Sequence, residues 1–101
     1  MGKGENKKNK WENSYTEDLF RAILTLKSKN EMKNFLRDLM TEKELVEFGN
    51  RLRAAKMLKK SIHYSAIVEA TGLSSRTIAR VKKWLKGKEG GYRIVLSRLK
   101  K

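Results

Sequence analysis

Apolar residues recur along this chain at strides of three and four, and nowhere do they alternate with polar ones over the length of a strand. That period belongs to a helix buried on one face. Trp11, Tyr15, Leu19, Ala22, Ile23 and Leu26 form a first stripe, widened by Phe20 and Leu24. They predict a helix over roughly residues 14–28, punctuated by Ser28, Lys29 and Asn30. A short second helix carries Met32, Phe35, Leu36, Leu39 and Met40. Thr41-Glu42-Lys43-Glu44 then reads as a capping box. The Thr41 hydroxyl can accept from the Glu44 amide, and the Glu44 carboxylate can reach back to the Thr41 amide. The helix this opens carries Leu45, Phe48, Leu52, Ala55 and Leu58 on one side. It begins acidic and ends basic, at Lys56, Lys59 and Lys60, as a helix dipole favours. Gly49 in its middle is either a tolerated flaw, costing about 1 kcal/mol against alanine, or the mark of another helix approaching closely. After a break at residues 88–91, Tyr92, Val95, Leu96 and Leu99 outline a last short helix. The chain reads as all-α, with about six helices and no strands.

Residues 64–81 are the most informative stretch. Gly72 supplies the positive φ needed after a first helix, Leu73 plugs the angle that follows, and Ser74 or Ser75 caps a second helix. Val68, four residues before the glycine, sits where two helices come close, and Ile78 and Val81 fall on the inward face of the second helix. This is the pattern of a helix-turn-helix, over about residues 64–86. At about 100° per residue, Arg76, Ala79, Arg80 and Lys83 share one side of the second helix, opposite Ile78, Val81 and Leu85. Thr77 and Trp84 lie on one flank, Ser75 and Lys82 on the other. A buried apolar face backed by a cationic one is either an ordinary solvated surface or what a DNA major groove requires. In the second reading Arg76 reaches guanine, Ser75 and Ala79 make shorter contacts, Arg80 shares the DNA-facing side, and Lys82, Lys83, Lys86 and Lys88 lie near phosphates. Tyr64 and Ser65, opening the first helix, offer its N-terminus to a phosphate. His63 just before them reads as a cap or loop residue, since no second ligand joins it.

Charge strengthens the nucleic-acid reading. The 101 residues carry 25 Lys and Arg against 11 Asp and Glu, a net +14, and the default partner of such a surface is a polyanion. Residues 82–101 alone carry a net +7, while residues 16–47 are near balance. Residues 1–10, MGKGENKKNK, read as a disordered basic arm, either idle or touching phosphates. Residues 11–101 read as a single helical DNA-binding domain. No apolar run exceeds three residues and cysteine is absent, so the expectation is a cytoplasmic, nucleoid-associated protein with no membrane span, disulfide or metal. One histidine, no nucleophile paired to a base and no glycine-rich phosphate loop argue against an enzyme. Only 39% of the chain is apolar, low for a core built by one copy.

Leu39-Met40-Thr41 with Glu44, Phe48-Gly49-Asn50-Arg51-Leu52-Arg53, Thr71-Gly72-Leu73-Ser74 and Thr77-Ile78-Ala79-Arg80 resemble the Trp repressor superfamily, and more closely its TrpR-related YerC/YecD-type branch. The resemblance runs from about Leu39 to Val95. It implies a bacterial regulator folded as an intertwined homodimer, whose N-terminal helices interlock and whose two helix-turn-helix heads bind double-stranded DNA. It also implies an effector pocket between the long central helix and the recognition helix. There Arg51 and Arg80 correspond to the arginines that sandwich an indole, Thr77 to a pocket threonine, and Thr41 to a threonine contributed across the dimer. Where the family pattern has glycine directly after the second arginine this chain has Val81, and one turn later Trp84 replaces a serine. The expectation is therefore a repressor with no cofactor and no dependence on tryptophan, in which Trp84 partly fills the pocket and which either needs no corepressor or uses another one. Trp84 as a plain packing aromatic, and Arg51 and Arg80 as phosphate or salt-bridge residues, stay open. The rival functions are a non-specific nucleoid-associated or RNA-binding protein, and a module that binds an acidic protein.

Overall fold

The computed structural model describes residues 10–99, and among them there are six helices and no strand. The arm expected over residues 1–10 lies, apart from Lys10, outside the described residues. The residues up to Leu39 make one compact unit and those from Met40 onward a second.

In the first unit, α1 spans Ser14–Leu24. The Asn13 side chain accepts from the amides of Tyr15 and Thr16, and the Thr16 hydroxyl accepts from the Asn13 amide, a reciprocal cap. The helix stops four residues short of the end its apolar stripe suggests. Thr25 turns its hydroxyl back to the Ala22 carbonyl, at 2.7 Å, and its amide bonds the same carbonyl. α2 spans Lys29–Leu39 and takes in Lys29 and Asn30, which the sequence suggests as a break. Its start is fixed by Ser28, whose hydroxyl accepts from the Glu31 amide, while the Glu31 carboxylate accepts from Lys27. Neither α1 nor α2 has a buried residue.

In the second unit, α3 (Glu42–Lys59) opens on the expected capping box, with Thr41 Oγ1 accepting from Glu44 and Glu44 Oε1 from Thr41. α4 (Tyr64–Thr71), α5 (Ser75–Leu85) and α6 (Gly91–Leu99) follow. The core gathers Ala54 and Ala55 of α3, Ile67 of α4, Leu73 of the turn, Ile78 and Val81 of α5 and Leu96 of α6. The two alanines let α4 and α5 approach α3 closely, and each fully buried isoleucine or valine contributes roughly 1.5–3 kcal/mol. That packing covers only the C-terminal half of α3. Phe48, expected inward, stays 45% exposed, and Val46 is 64% exposed. Among the described residues of one copy, no other helix comes within 4 Å of where a Cβ on Gly49 would stand. α3 closes with Ser61 at φ 61°, its amide bonding the Leu58 carbonyl while Ile62 bonds Met57, which satisfies two end carbonyls at the cost of a left-handed serine.

Candidate nucleic-acid interface

The turn between α4 and α5 is built from its smallest residues outward. Gly72 sits at φ 75° and donates to the Val68 carbonyl at 2.8 Å. Thr71, buried, donates its hydroxyl to Ile67 at 2.7 Å and accepts from the Leu73 amide at 3.2 Å. That hydroxyl stitches helix end to turn and leaves the Leu73 side chain in the core. Ser74 is the cap of α5, accepting from the Thr77 amide at 3.1 Å. The α4 cap is His63, through its backbone carbonyl alone; its side chain makes no capping bond.

Two arginines, which sequence reasoning did not single out, peg this motif. Arg53 Nη1 donates to the Ala70 carbonyl at 2.9 Å, tying α3 to the end of α4. Arg93 Nη1 donates to the Leu85 carbonyl at 2.7 Å, closing the end of α5 from α6. Each places a cation on carbonyls that a helix end leaves unpaired.

With Ile78 and Val81 fully buried beneath it, α5 shows its other side to solvent. Ser75, Arg76, Ala79, Arg80, Lys82 and Lys83 are all exposed, as are Lys86 and Lys88 beyond the helix. Among the described residues no carboxylate forms an ion pair with Arg76, Arg80 or Lys83. The cationic face is thus unneutralised. Ser65 is exposed on the first turn of α4. Tyr64 beside it is half-buried against the core and carries the Lys82 ammonium 5.8 Å from its ring centre. Among the described residues no group of three or more histidine, cysteine or acidic side chains is gathered as for a metal, and no helix is long and apolar enough to cross a membrane.

Of the residues expected to line a pocket, Arg51 and Trp84 meet: the guanidinium carbon lies 5.8 Å from the indole ring centre. Phe48, one turn earlier on α3, supplies a second ring at 5.4 Å, and Glu47 pairs with Arg51 Nη2 at 3.0 Å. Among the described residues Arg51 Nε is buried with no hydrogen-bond partner. Thr77 is bonded to the Ser74 hydroxyl, and Arg80 is exposed. Thr41 lies ten residues before Arg51 on the same helix, about 15 Å along its axis, and is engaged in its own cap. Tyr92, half-buried near this cluster, has its phenol pushed above 10.0 by burial, with the Arg51 charge opposing that shift.

The sequence matches the Trp repressor protein family over residues 14–100. The chain belongs to the Trp repressor family. As a member it is 38% identical over 84 residues to the uncharacterized protein YerC of Bacillus subtilis (strain 168), an alignment covering 83% of this chain and 81% of that one. Its structure is similar to that of a TrpR like protein from Eubacterium eligens ATCC 27750, with TM-score 0.83, 40% identity and coverage of 91% and 95% of the two chains. It is similar also to a candidate Trp repressor from Staphylococcus aureus, with TM-score 0.82, 36% identity and coverage of 90% and 91%. The six helices and their helix-turn-helix are therefore those of a Trp repressor-like fold.

Proposed function

We propose that this protein is a sequence-specific DNA-binding transcriptional repressor that acts as a homodimer and does not require tryptophan. The observation that carries the DNA reading is the division of α5: a fully buried apolar floor at Ile78 and Val81, and a cationic face at Arg76, Arg80 and Lys83 that no carboxylate among the described residues pairs. Such a helix, braced by a preceding helix and an αL turn, fits the major groove. Arg76, early in α5, is the reader of base edges. Lys82, Lys83, Lys86 and Lys88, with the α4 start at Tyr64 and Ser65, take the backbone.

The homodimer is supported by what one copy leaves uncovered. Tyr15, Leu24 and Val46 are 82%, 83% and 64% exposed, and no residue of α1 or α2 is fully buried. A chain that stayed monomeric rarely shows so much large apolar surface. Interlocking of these helices between copies, as in the family, gives them a partner. Helix-turn-helix dimers, the Trp repressor among them, then present two heads to successive major grooves, a spacing inherited from the family. Independence from tryptophan is supported by Trp84, whose ring lies against Arg51 where an indole ligand would be expected.

The test is selection of duplexes from a random DNA pool, followed by competition with scrambled DNA and random RNA. A shared motif with twofold symmetry is the expected result; equal binding of all duplexes, or of RNA, would make this a non-specific basic protein. With roughly eight phosphates neutralised, the log–log slope of affinity against salt should lie near −7. Light scattering should give twice the chain mass, and calorimetric titration with L-tryptophan should show no binding at micromolar concentrations.

A further inference from the structure

The floor of α5 is apolar, but its flanks are held differently. On one flank the Lys82 ammonium lies 5.8 Å from the ring centre of Tyr64 on α4. On the other, the Arg51 guanidinium of α3 lies 5.8 Å from the ring centre of Trp84. Positions 82 and 84 are about 200° apart around a helix, so the two contacts grip α5 from opposite sides. Apolar packing at Ile78 and Val81 is non-directional. It fixes how deep α5 sits better than how far it is turned. A cation over a ring face is directional, because the attraction comes from the quadrupole of the ring.

The Arg51 side is the more committed of the two. Its guanidinium lies against both Phe48 and Trp84, its Nη2 is held by Glu47, and its Nε is buried with no hydrogen-bond partner among the described residues. The flat ring faces stand in for part of the hydration this cation gives up. Trp84 itself is 46% exposed, so it is poorly placed to serve as a core anchor.

We propose that Trp84 is a positioning residue of the recognition helix: its ring face against Arg51 sets the rotation of α5 about its axis, and with it the aim of Arg76 and Arg80. The aim has little tolerance. A turn of roughly 10° moves a side-chain tip at the helix surface by about 1 Å, more than the whole spread of good N–H···O distances. The consequence for base selection rests on the DNA reading above; the bracing of α5 does not.

Three variants separate ring face from bulk. Trp84→Phe keeps a ring for Arg51, Trp84→Leu keeps apolar volume without one, and Arg51→Met keeps an aliphatic stem but loses the cation. The first readout is amide hydrogen exchange of residues 80–85 in the DNA-free protein. The second is the ratio of affinities for the duplex selected by the unmodified protein and for a scrambled duplex. Trp84→Leu and Arg51→Met should speed exchange and lower the affinity ratio by about two- to fivefold, with Trp84→Phe closer to the unmodified protein in both. Equal behaviour of Trp84→Phe and Trp84→Leu in both readouts would overturn the proposal, and so would an affinity ratio that stays put while exchange rises. Should Trp84→Leu fail to fold, the other two variants carry the comparison. If the unmodified protein prefers no duplex, the DNA reading fails separately, and the exchange readout alone decides whether Trp84 braces α5.

Discussion

Ile78→Ala gives the plainest test of how α5 is built. The side chain has no solvent exposure and stands with Ile67 and Val81 as the largest fully buried groups among the described residues. Truncating a buried isoleucine costs about 2–5 kcal/mol through lost transfer energy and the cavity left behind. The core here is small, seven buried apolar residues supplied by α3, α4, α5, α6 and the turn, so little can relax into the space and the loss belongs in the upper half of that range. Against a total stability of about 5–15 kcal/mol, that is a large fraction. With a urea slope of about 2 kcal/mol/M, the unfolding midpoint should fall by about 2 M. The assay is urea unfolding followed by the helical circular-dichroism signal, at one protein concentration, because any self-association adds to stability by mass action. Arg76→Ala, two residues earlier and exposed, should stay within about 0.5 kcal/mol. A loss below about 1 kcal/mol for Ile78→Ala, or equal losses for the two variants, would refute the division of α5 into floor and face.

Ser61→Gly should stabilise the protein by about 1 kcal/mol, since glycine holds the positive φ of 61° without a Cβ penalty; an unchanged or lower melting temperature would contradict this. Arg53→Met keeps the aliphatic stem and removes the bond to Ala70. It should cost about 1 kcal/mol and speed amide exchange at the end of α4, whereas a purely stem-packing role would leave both unchanged. The raised pKa of Tyr92 makes the folded state hold its phenolic proton more tightly than the unfolded chain. That contribution is fully present below the ordinary value of 10.0 and is lost as pH rises through the higher folded value. Melting temperature should therefore drop more steeply above pH 10 in the unmodified protein than in Tyr92→Phe, and parallel curves would show the phenol to be indifferent.

The helix-turn-helix was legible because its signals are local and dictated by backbone sterics. Gly72 must take a left-handed φ, Leu73 must turn inward, and Ile78 and Val81 repeat at helical spacing. The Thr41–Glu44 box was legible for the same reason. Element ends were harder. The apolar stripe through Leu26 outlasts α1, because a Thr25 hydroxyl competing for the Ala22 carbonyl leaves no mark on periodicity. Lys29 and Asn30 look like a break until Ser28 and Glu31 are seen to cap a helix across them. The arginine pegs were invisible because long flexible side chains reach across the fold: Arg53 and Ala70 are 17 residues apart. At the candidate pocket, Arg51 and Trp84 could be named from the sequence. Phe48 was assigned to the apolar stripe and missed as the second ring. Its place one turn before Arg51 was the available signal.

The proposed function requires α5 to read DNA sequence through Arg76 and to meet the backbone through its lysines. The most direct measurement compares Arg76→Ala and Lys83→Ala on the selected duplex and on a panel of its single-base-pair variants. Arg76→Ala should erase discrimination at one base pair, worth about 1–3 kcal/mol, while Lys83→Ala should weaken every duplex alike. If Arg76→Ala instead weakens all duplexes equally and leaves the pattern of preference intact, Arg76 is not a base reader and the account of α5 is wrong.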